Sequence, residues 1–219
     1  MDSQWGQIRS LKMGKSRLKI LKLLSWVILI IAPFSPSYAD TATKLCEEQT
    51  RWHHIGIKHV LNIDIEVTRP VCEQALLEDK NNPDTRFGIA RILYYEGRYK
   101  KARPILELLL EDGYAHAGEL LAQFYFFGDG VEISYEKFFQ LAKRAHELGS
   151  VGAGNQLHHS YYWGYGVLAD DKLATEYLEE AVERGDSRSI IELSQALTHG
   201  DLGYEVDRQR ARSLLATEL

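Results

Sequence analysis

The stretch "FYFFGDGV", residues 124–131, decides how this chain is read, because a near copy, "SYYWGYGV", occupies residues 160–167. A G-x-G between aromatics is either a loop that cradles a phosphate or the punctuation of a repeat. Gly128 and Gly164, Gly130 and Gly166, and Val131 and Val167 are each 36 residues apart. The same offset links Gly113, Gly149 and Gly185, links Leu121, Leu157 and Leu193, and carries Gly164 on to Gly200. A period between 20 and 50 residues is the signature of an array of supersecondary units.

Within one period, Ala117, Leu121, Phe124, Tyr125 and Gly128 form one stripe of an α-helix, since residues three, four and seven apart share a face. Phe138, Leu141, Ala142 and Ala145 form a second stripe, and Ala174, Tyr177, Leu178 and Ala181 repeat it. Each period is therefore a helix, a turn and a second helix. Gly128 and Gly164 stand where a left-handed cap ends the first helix, and Gly149 and Gly185 where one ends the second. A dinucleotide loop needs a third glycine and a preceding strand; neither copy has them, so the phosphate reading fails.

These residues resemble the Sel-like repeats (SLR), relatives of the tetratricopeptide repeats with a longer turn. The first-helix pattern of that family looks like A-x3-LG-x-LY-x2-G-x-GV, and Ala117, Leu121, Ala122, Phe124, Tyr125, Gly128, Gly130 and Val131 match it. Ala153, Leu157, Tyr161, Gly164, Gly166 and Val167 match it again, and Asp170, Ala174, Tyr177, Leu178, Ala181 and Gly185 continue into the second helix. A third, degenerate copy keeps Ser189, Leu193 and Gly200, then Asp207, Ala211, Leu214 and Leu215 after one inserted residue. His158 and Ser194 replace a small glycine, which loosens the expected helix packing there, and Ser134 replaces the turn aspartate. The array runs over residues 114–219.

Residues 81–113 look like a tetratricopeptide unit with a shorter turn, with stripes Phe87, Ala90, Leu93, Tyr94 and Ala102, Ile105, Leu106, Leu109. Asn82 and Pro83 mark its entry, and Pro104 is expected in the first turn of its second helix, where a missing N–H is harmless. Val67 to Glu78 reads as a further helix. The fold class is thus all-α, and the resemblance implies a right-handed solenoid of helix-turn-helix units.

Residues 1–39 read as an export signal: six basic residues precede an apolar run from Leu23 to Ala32, and Ser37 and Ala39 place cleavage between Ala39 and Asp40. The run is shorter than the ~20 apolar residues of a membrane helix, so no stable membrane insertion is expected after cleavage. Cys46 and Cys72 are the two cysteines of the chain; an even pair in an exported protein predicts a disulfide, and residues 40–80 then form a cap over the open end of the array. No asparagine begins a glycosylation sequon, which favours a bacterial periplasm. Without its signal the chain keeps 20 Lys plus Arg against 30 Asp plus Glu. Such an acidic surface disfavours nucleic acid, whose binding depends on basic residues.

No catalytic constellation is evident: there is no G-x-S-x-G elbow, and no cofactor is expected. The doublets His53-His54 and His158-His159 suggest no metal site, since adjacent helical residues point ~100° apart. The surface aromatics are more informative. A helical wheel sets Phe126 and Tyr162 nearly opposite the core, with Gln123 and His159 beside them and Phe127 and Trp163 on the flank. All six are candidates for binding a protein or peptide. The resemblance implies a protein-interaction scaffold or adaptor, periplasmic or secreted, with an envelope complex as one setting. Rival readings are a cell-wall-active or β-lactam-binding protein and a structural subunit.

Overall fold

A computed structural model describes residues 36–50 and 64–216 of the chain. The expected signal run and the His53-His54 doublet lie outside the described residues. The chain divides into two compact units, Met1–Ala39 and Asp40–Leu219, and the buried core described here belongs to the second. No described helix is long and apolar enough to cross a membrane.

Ten helices are described: α1 Pro36–Thr50, α2 Ile65–Glu78, α3 Pro83–Tyr95, α4 Tyr99–Glu111, α5 Ala115–Phe127, α6 Tyr135–Glu147, α7 Ala153–Trp163, α8 Asp171–Glu183, α9 Ser187–His199 and α10 Arg208–Ala216. From α2 onward each packs on its neighbours in sequence, so the pairs α3/α4, α5/α6, α7/α8 and α9/α10 are successive units of an all-α solenoid. The core is accordingly a chain of small clusters, as expected where each unit touches only its neighbours. Phe87, Leu93, Leu106, Leu120, Leu121 and Phe124 belong to one, Ala122, Phe138, Phe139 and Leu157 to the next, and Leu178, Leu193, Leu197 and Ala211 to a third.

Local chemistry sets the boundaries. Asn82 caps α3 by accepting from the Thr85 N–H at 2.9 Å, with Pro83 as the first helical residue. Asp170 caps α8 by accepting from Leu173 N–H at 3.0 Å, and Ser134 does the same for α6 with Lys137 N–H at 3.3 Å. The three first helices of the array end on Gly128, Gly164 and Gly200, at φ 78°, 72° and 79°, a conformation that a residue with a Cβ adopts only at a cost. Three residues, 96–98, separate α3 from α4, against seven between α5 and α6 and between α7 and α8. The shorter and longer turns are as the sequence suggests.

The second glycine of each G-x-G has its own reason. A Cβ on Gly130 would lie 2.8 Å from the Tyr99 Cβ, and one on Gly166 would fall on the Tyr135 carbonyl. Tyr99 and Tyr135 are the first residues of α4 and α6, so each long turn rests on the start of the preceding second helix. In the degenerate copy the same register position, 36 residues after Gly166, holds Leu202 at φ 55°. That strain costs roughly 1–2 kcal/mol, and the Leu202 side chain offsets part of it by packing against the last core cluster.

Three expectations need correction. Pro104 is the sixth residue of α4, which begins at Tyr99, so it sits in the second turn. The helix starts early because the Tyr99 ring packs on Tyr94 and Phe124, at centroid distances of 5.5 and 5.7 Å. Secondly, His158 and Ser194 do not loosen the packing. Both are buried; a His158 ring nitrogen lies 2.9 Å from the Ala174 carbonyl, and Ser194 donates to the Ala211 carbonyl at 3.1 Å. Each thus bonds the backbone of the second helix where a glycine would have let it approach. Thirdly, the surface aromatics are exposed in the reverse of the expected order, because Phe138 and Tyr165 cover Phe126, and Tyr162 packs on His158.

A disulfide joins Cys46 in α1 to Cys72 in α2. Closing that 26-residue separation is worth roughly 3.5 kcal/mol on the chain-entropy estimate. Gly88 in α3 lets α1 approach closely: a Cβ there would meet Thr50 Oγ1 at 2.7 Å and Cys46 Sγ at 3.1 Å. Buried Arg91 donates to the Thr50 carbonyl, and burial lowers its pKa from the usual guanidinium value.

Candidate functional site

The first helices α5, α7 and α9 lie side by side, held by polar contacts between successive copies. Gln156 on α7 donates to the Glu119 carbonyl on α5 at 2.9 Å, and Asn155 donates to Glu192 on α9 at 2.9 Å. Glu119 is fully buried. Its carboxylate accepts from Ser150 Oγ at 2.7 Å and pairs with Arg188 at 2.8 Å. Arg188 also reaches Asp186 at 3.4 Å, the buried N-cap of α9 that accepts from the Ser189 N–H at 3.0 Å and hydroxyl at 2.7 Å. Burial alone would lower the Arg188 guanidinium; Glu119 and Asp186 more than offset it and hold the group charged. Arg188 is 33% exposed, yet its loss would leave the buried Glu119 charge poorly compensated, so the network helps to fix the spacing of the three helices.

That spacing leaves a groove of about 410 Å³. Gln123, Phe126 and Phe127 line it from α5, Gln156, His159 and Trp163 from α7, and Phe138, Tyr165 and Arg188 complete it. Five of the six residues singled out in the sequence therefore meet in one place. Tyr162 is the exception: it is half-buried beside α7, its ring stacked on His158 at 5.9 Å and edge-on to Trp163 at 4.5 Å.

The exposure of the aromatics is the reverse of the helical-wheel expectation. Phe127 and Trp163, placed on the flank, are 61% and 60% exposed, whereas Phe126 and Tyr162 are half-buried. A wheel assumes one buried side, but a first helix in a solenoid also has neighbouring units against it. The Phe126 ring is covered by Phe138 at 4.9 Å, Tyr165 at 5.3 Å and Tyr135 at 5.7 Å. Tyr165 in turn stacks on Tyr135 at 4.7 Å. The groove therefore has a packed aromatic floor and two exposed aromatic rims, one period apart.

At the α7–α9 end stands a cluster the sequence reading did not assemble. His158 Nε2 lies 3.3 Å from Glu192 Oε1, and His159 Nε2 lies 3.5 Å from Glu192 Oε2. Adjacent histidines point apart along the helix, yet both rings turn toward a carboxylate supplied by the next first helix. The cue lay in the register: Leu120, Gln156 and Glu192 are period equivalents, and the last is acidic only where the facing helix carries the histidine pair. Burial lowers the His159 pKa, opposed by the Glu192 charge. Burial would raise the Glu192 carboxyl, but its contacts with His158, His159 and Asn155 hold it below the ordinary value.

A family model for the tetratricopeptide repeat matches residues 64–124, the stretch from α2 through most of α5. No curated protein matches the chain. Among solved structures it is similar to a Sel1 repeat protein from Oxalobacter formigenes, with a TM-score of 0.61 at 20% identity, over 83% of this chain and 74% of that one. It is also similar to c5321, a protective antigen of uropathogenic Escherichia coli displaying an SLR fold, with a TM-score of 0.56 at 21% identity, over 83% of this chain and 38% of that one. With a tetratricopeptide pattern over residues 64–124 and these neighbours over most of its length, the chain has the fold of the Sel1-like helical repeats.

Proposed function

We propose that this chain is an exported protein-interaction scaffold, working in a bacterial periplasm, which receives an extended segment of a partner protein in the groove between α5, α7 and α9. The carrying observation is the groove itself: Phe127 and Trp163 stand exposed above a floor of packed rings. Exposed aromatics around a concavity are the usual anchors of a protein interface. The groove's polar side chains, Gln123, Gln156 and His159, suit the amide groups of a peptide backbone. The lining carries no carboxylate, so the acid of the surrounding surface acts at longer range and favours a partner with basic flanks. The Cys46–Cys72 disulfide supports the export reading.

The test is a peptide-display selection on the purified protein in the presence of a metal chelator, with affinities measured by fluorescence anisotropy. The double variant Phe127→Ala/Trp163→Ala should lose roughly tenfold or more in affinity, as expected for truncated interface anchors. Its melting temperature should stay close to the parent's, because both side chains are largely in solvent. Selected peptides that bind parent and variant equally well would overturn the assignment of the groove.

A further inference from the structure

We propose that His158, His159 and Glu192 form a binding site for a divalent transition-metal ion of the zinc type, at the α7–α9 end of the groove. The three side chains bring one ligand atom each to within 4.8 Å of one another. With metal–nitrogen bonds of about 2.0–2.1 Å, tetrahedral ligands stand about 3.3 Å apart. His158 Nε2 lies 3.3 Å from Glu192 Oε1 and His159 Nε2 3.5 Å from Oε2, so each histidine nitrogen stands near that spacing from one oxygen of the carboxylate.

The second observation is the state of His158. Its Nδ1 is 2.9 Å from the Ala174 carbonyl, which only accepts, so Nδ1 carries the proton. In the neutral ring Nε2 then bears a lone pair. This atom is buried without a hydrogen-bond partner while a carboxylate oxygen faces it at 3.3 Å. With neither atom protonated their lone pairs repel, so the contact is favourable only with a positive charge, a proton or a metal ion, between them. A proton on His158 would answer for that contact alone. A metal ion answers for it and also engages His159, whose Nε2 faces the other oxygen of the same carboxylate.

The supporting contacts are those a metal site requires. A ligating histidine usually donates its second N–H to a carbonyl or carboxylate, and ligating carboxylates are themselves hydrogen-bonded. Ala174 and Asn155 fill these two roles here. The charge of Arg188 nearby is matched by Glu119 and Asp186. His2Glu leaves a fourth position open in a tetrahedral zinc site, and His159 also lines the groove, so the open side faces a bound segment. Only that last step, a partner side chain or water completing the shell, rests on the proposed function; metal binding itself does not.

The experiment titrates the purified protein with Zn²⁺ by calorimetry and with Co²⁺ by visible absorption, beside His159→Ala and Glu192→Gln. The expected result is one ion per chain with the intense absorption of tetrahedral Co²⁺. Each variant should bind at least tenfold more weakly and lose the band, while still unfolding cooperatively in the absence of metal. Absence of stoichiometric binding, or wild-type affinity in either variant, overturns the proposal; in the latter case the ion has gone to other histidines. The chelator in the peptide assay separates the two readings: failure of metal binding leaves the groove result standing, and the reverse also holds.

Discussion

Helix α5 ends at Gly128 with φ 78°, and α7 at Gly164 with φ 72°. Ser134 and Asp170, which open the second helices of the same two copies, have φ/ψ of −148°/99° and −150°/102°. The copies beginning at Ala117 and Ala153 are thus nearly superimposable in backbone, yet their interiors differ. In the first, small Ala122 shares a cluster with large Phe138; at the equivalent positions of the second, buried His158 meets the backbone of small Ala174. Bulk has moved from one helix to the other with the spacing kept. A repeat fixes where a side chain stands, and substitution at that place then decides whether it fills space, binds a segment or holds an ion.

The equivalence of the two copies is most sensitive to substitution at the turns. Gly166→Ala combines a positive φ with a collision against the Tyr135 backbone and should cost about 4 kcal/mol or more, a value reserved for drastic lesions. Gly130→Ala also combines a positive φ with a close contact, 2.8 Å to the Tyr99 Cβ; that atom is held by its backbone, but the overlap is shallower than at Gly166 and should cost less. Gly185→Ala has the positive φ with nothing within 4 Å, leaving only the backbone term of roughly 1–2 kcal/mol. Urea unfolding of the three variants gives the order directly. Equal losses at all three would mean that the turns do not rest on the preceding helices.

A subtler break exchanges the interiors. His158→Ala leaves a void opposite Ala174 and should cost roughly 2–4 kcal/mol. Ala174→Phe alone overpacks, at roughly 1–3 kcal/mol. The double variant recreates the Ala122/Phe138 arrangement and should recover more than half of the summed loss, measured as a coupling in a double-mutant cycle. Purely additive losses would show that the two copies, despite their shared backbone, are not interchangeable frames.

How much of the molecule was readable from its sequence depends on the kind of interaction involved. The solenoid was legible in the 36-residue offset, because glycine caps and apolar stripes are local demands that each copy restates. The α3 cap at Asn82 and the α8 cap at Asp170 were legible for the same reason, and the disulfide followed from an unaccompanied cysteine pair. The start of α4 was not, because Tyr99 is drawn into the helix by rings on α3 and α5. Nor was the Glu119–Arg188 pair, whose members are 69 residues apart and belong to no repeated position. Most of the groove's side chains were visible as candidates, but their exposure was inverted. Phe126 is covered by Tyr135 and Phe138 of the next helix and by Tyr165 of the next copy's turn, which a single-helix projection cannot contain. His158, His159 and Glu192 were each visible, but their meeting required reading one copy's register against the next.

The smallest expected effect offers the finest test of equivalence. Ser134 and Asp170 accept the same N–H in their copies, at 3.3 and 3.0 Å, and differ chiefly by a negative charge at the helix start. That charge interacts favourably with the helix dipole by roughly 0.3–1 kcal/mol at low salt. Ser134→Asp should therefore stabilise and Asp170→Ser destabilise by similar amounts, and both shifts in the urea midpoint should shrink as salt is added. The first copy also carries Glu132 and Glu136 around its cap, the second Asp171. If Ser134→Asp instead destabilises, repulsion from those two glutamates outweighs the dipole, and the serine is there because the surrounding acid does not tolerate a third charge.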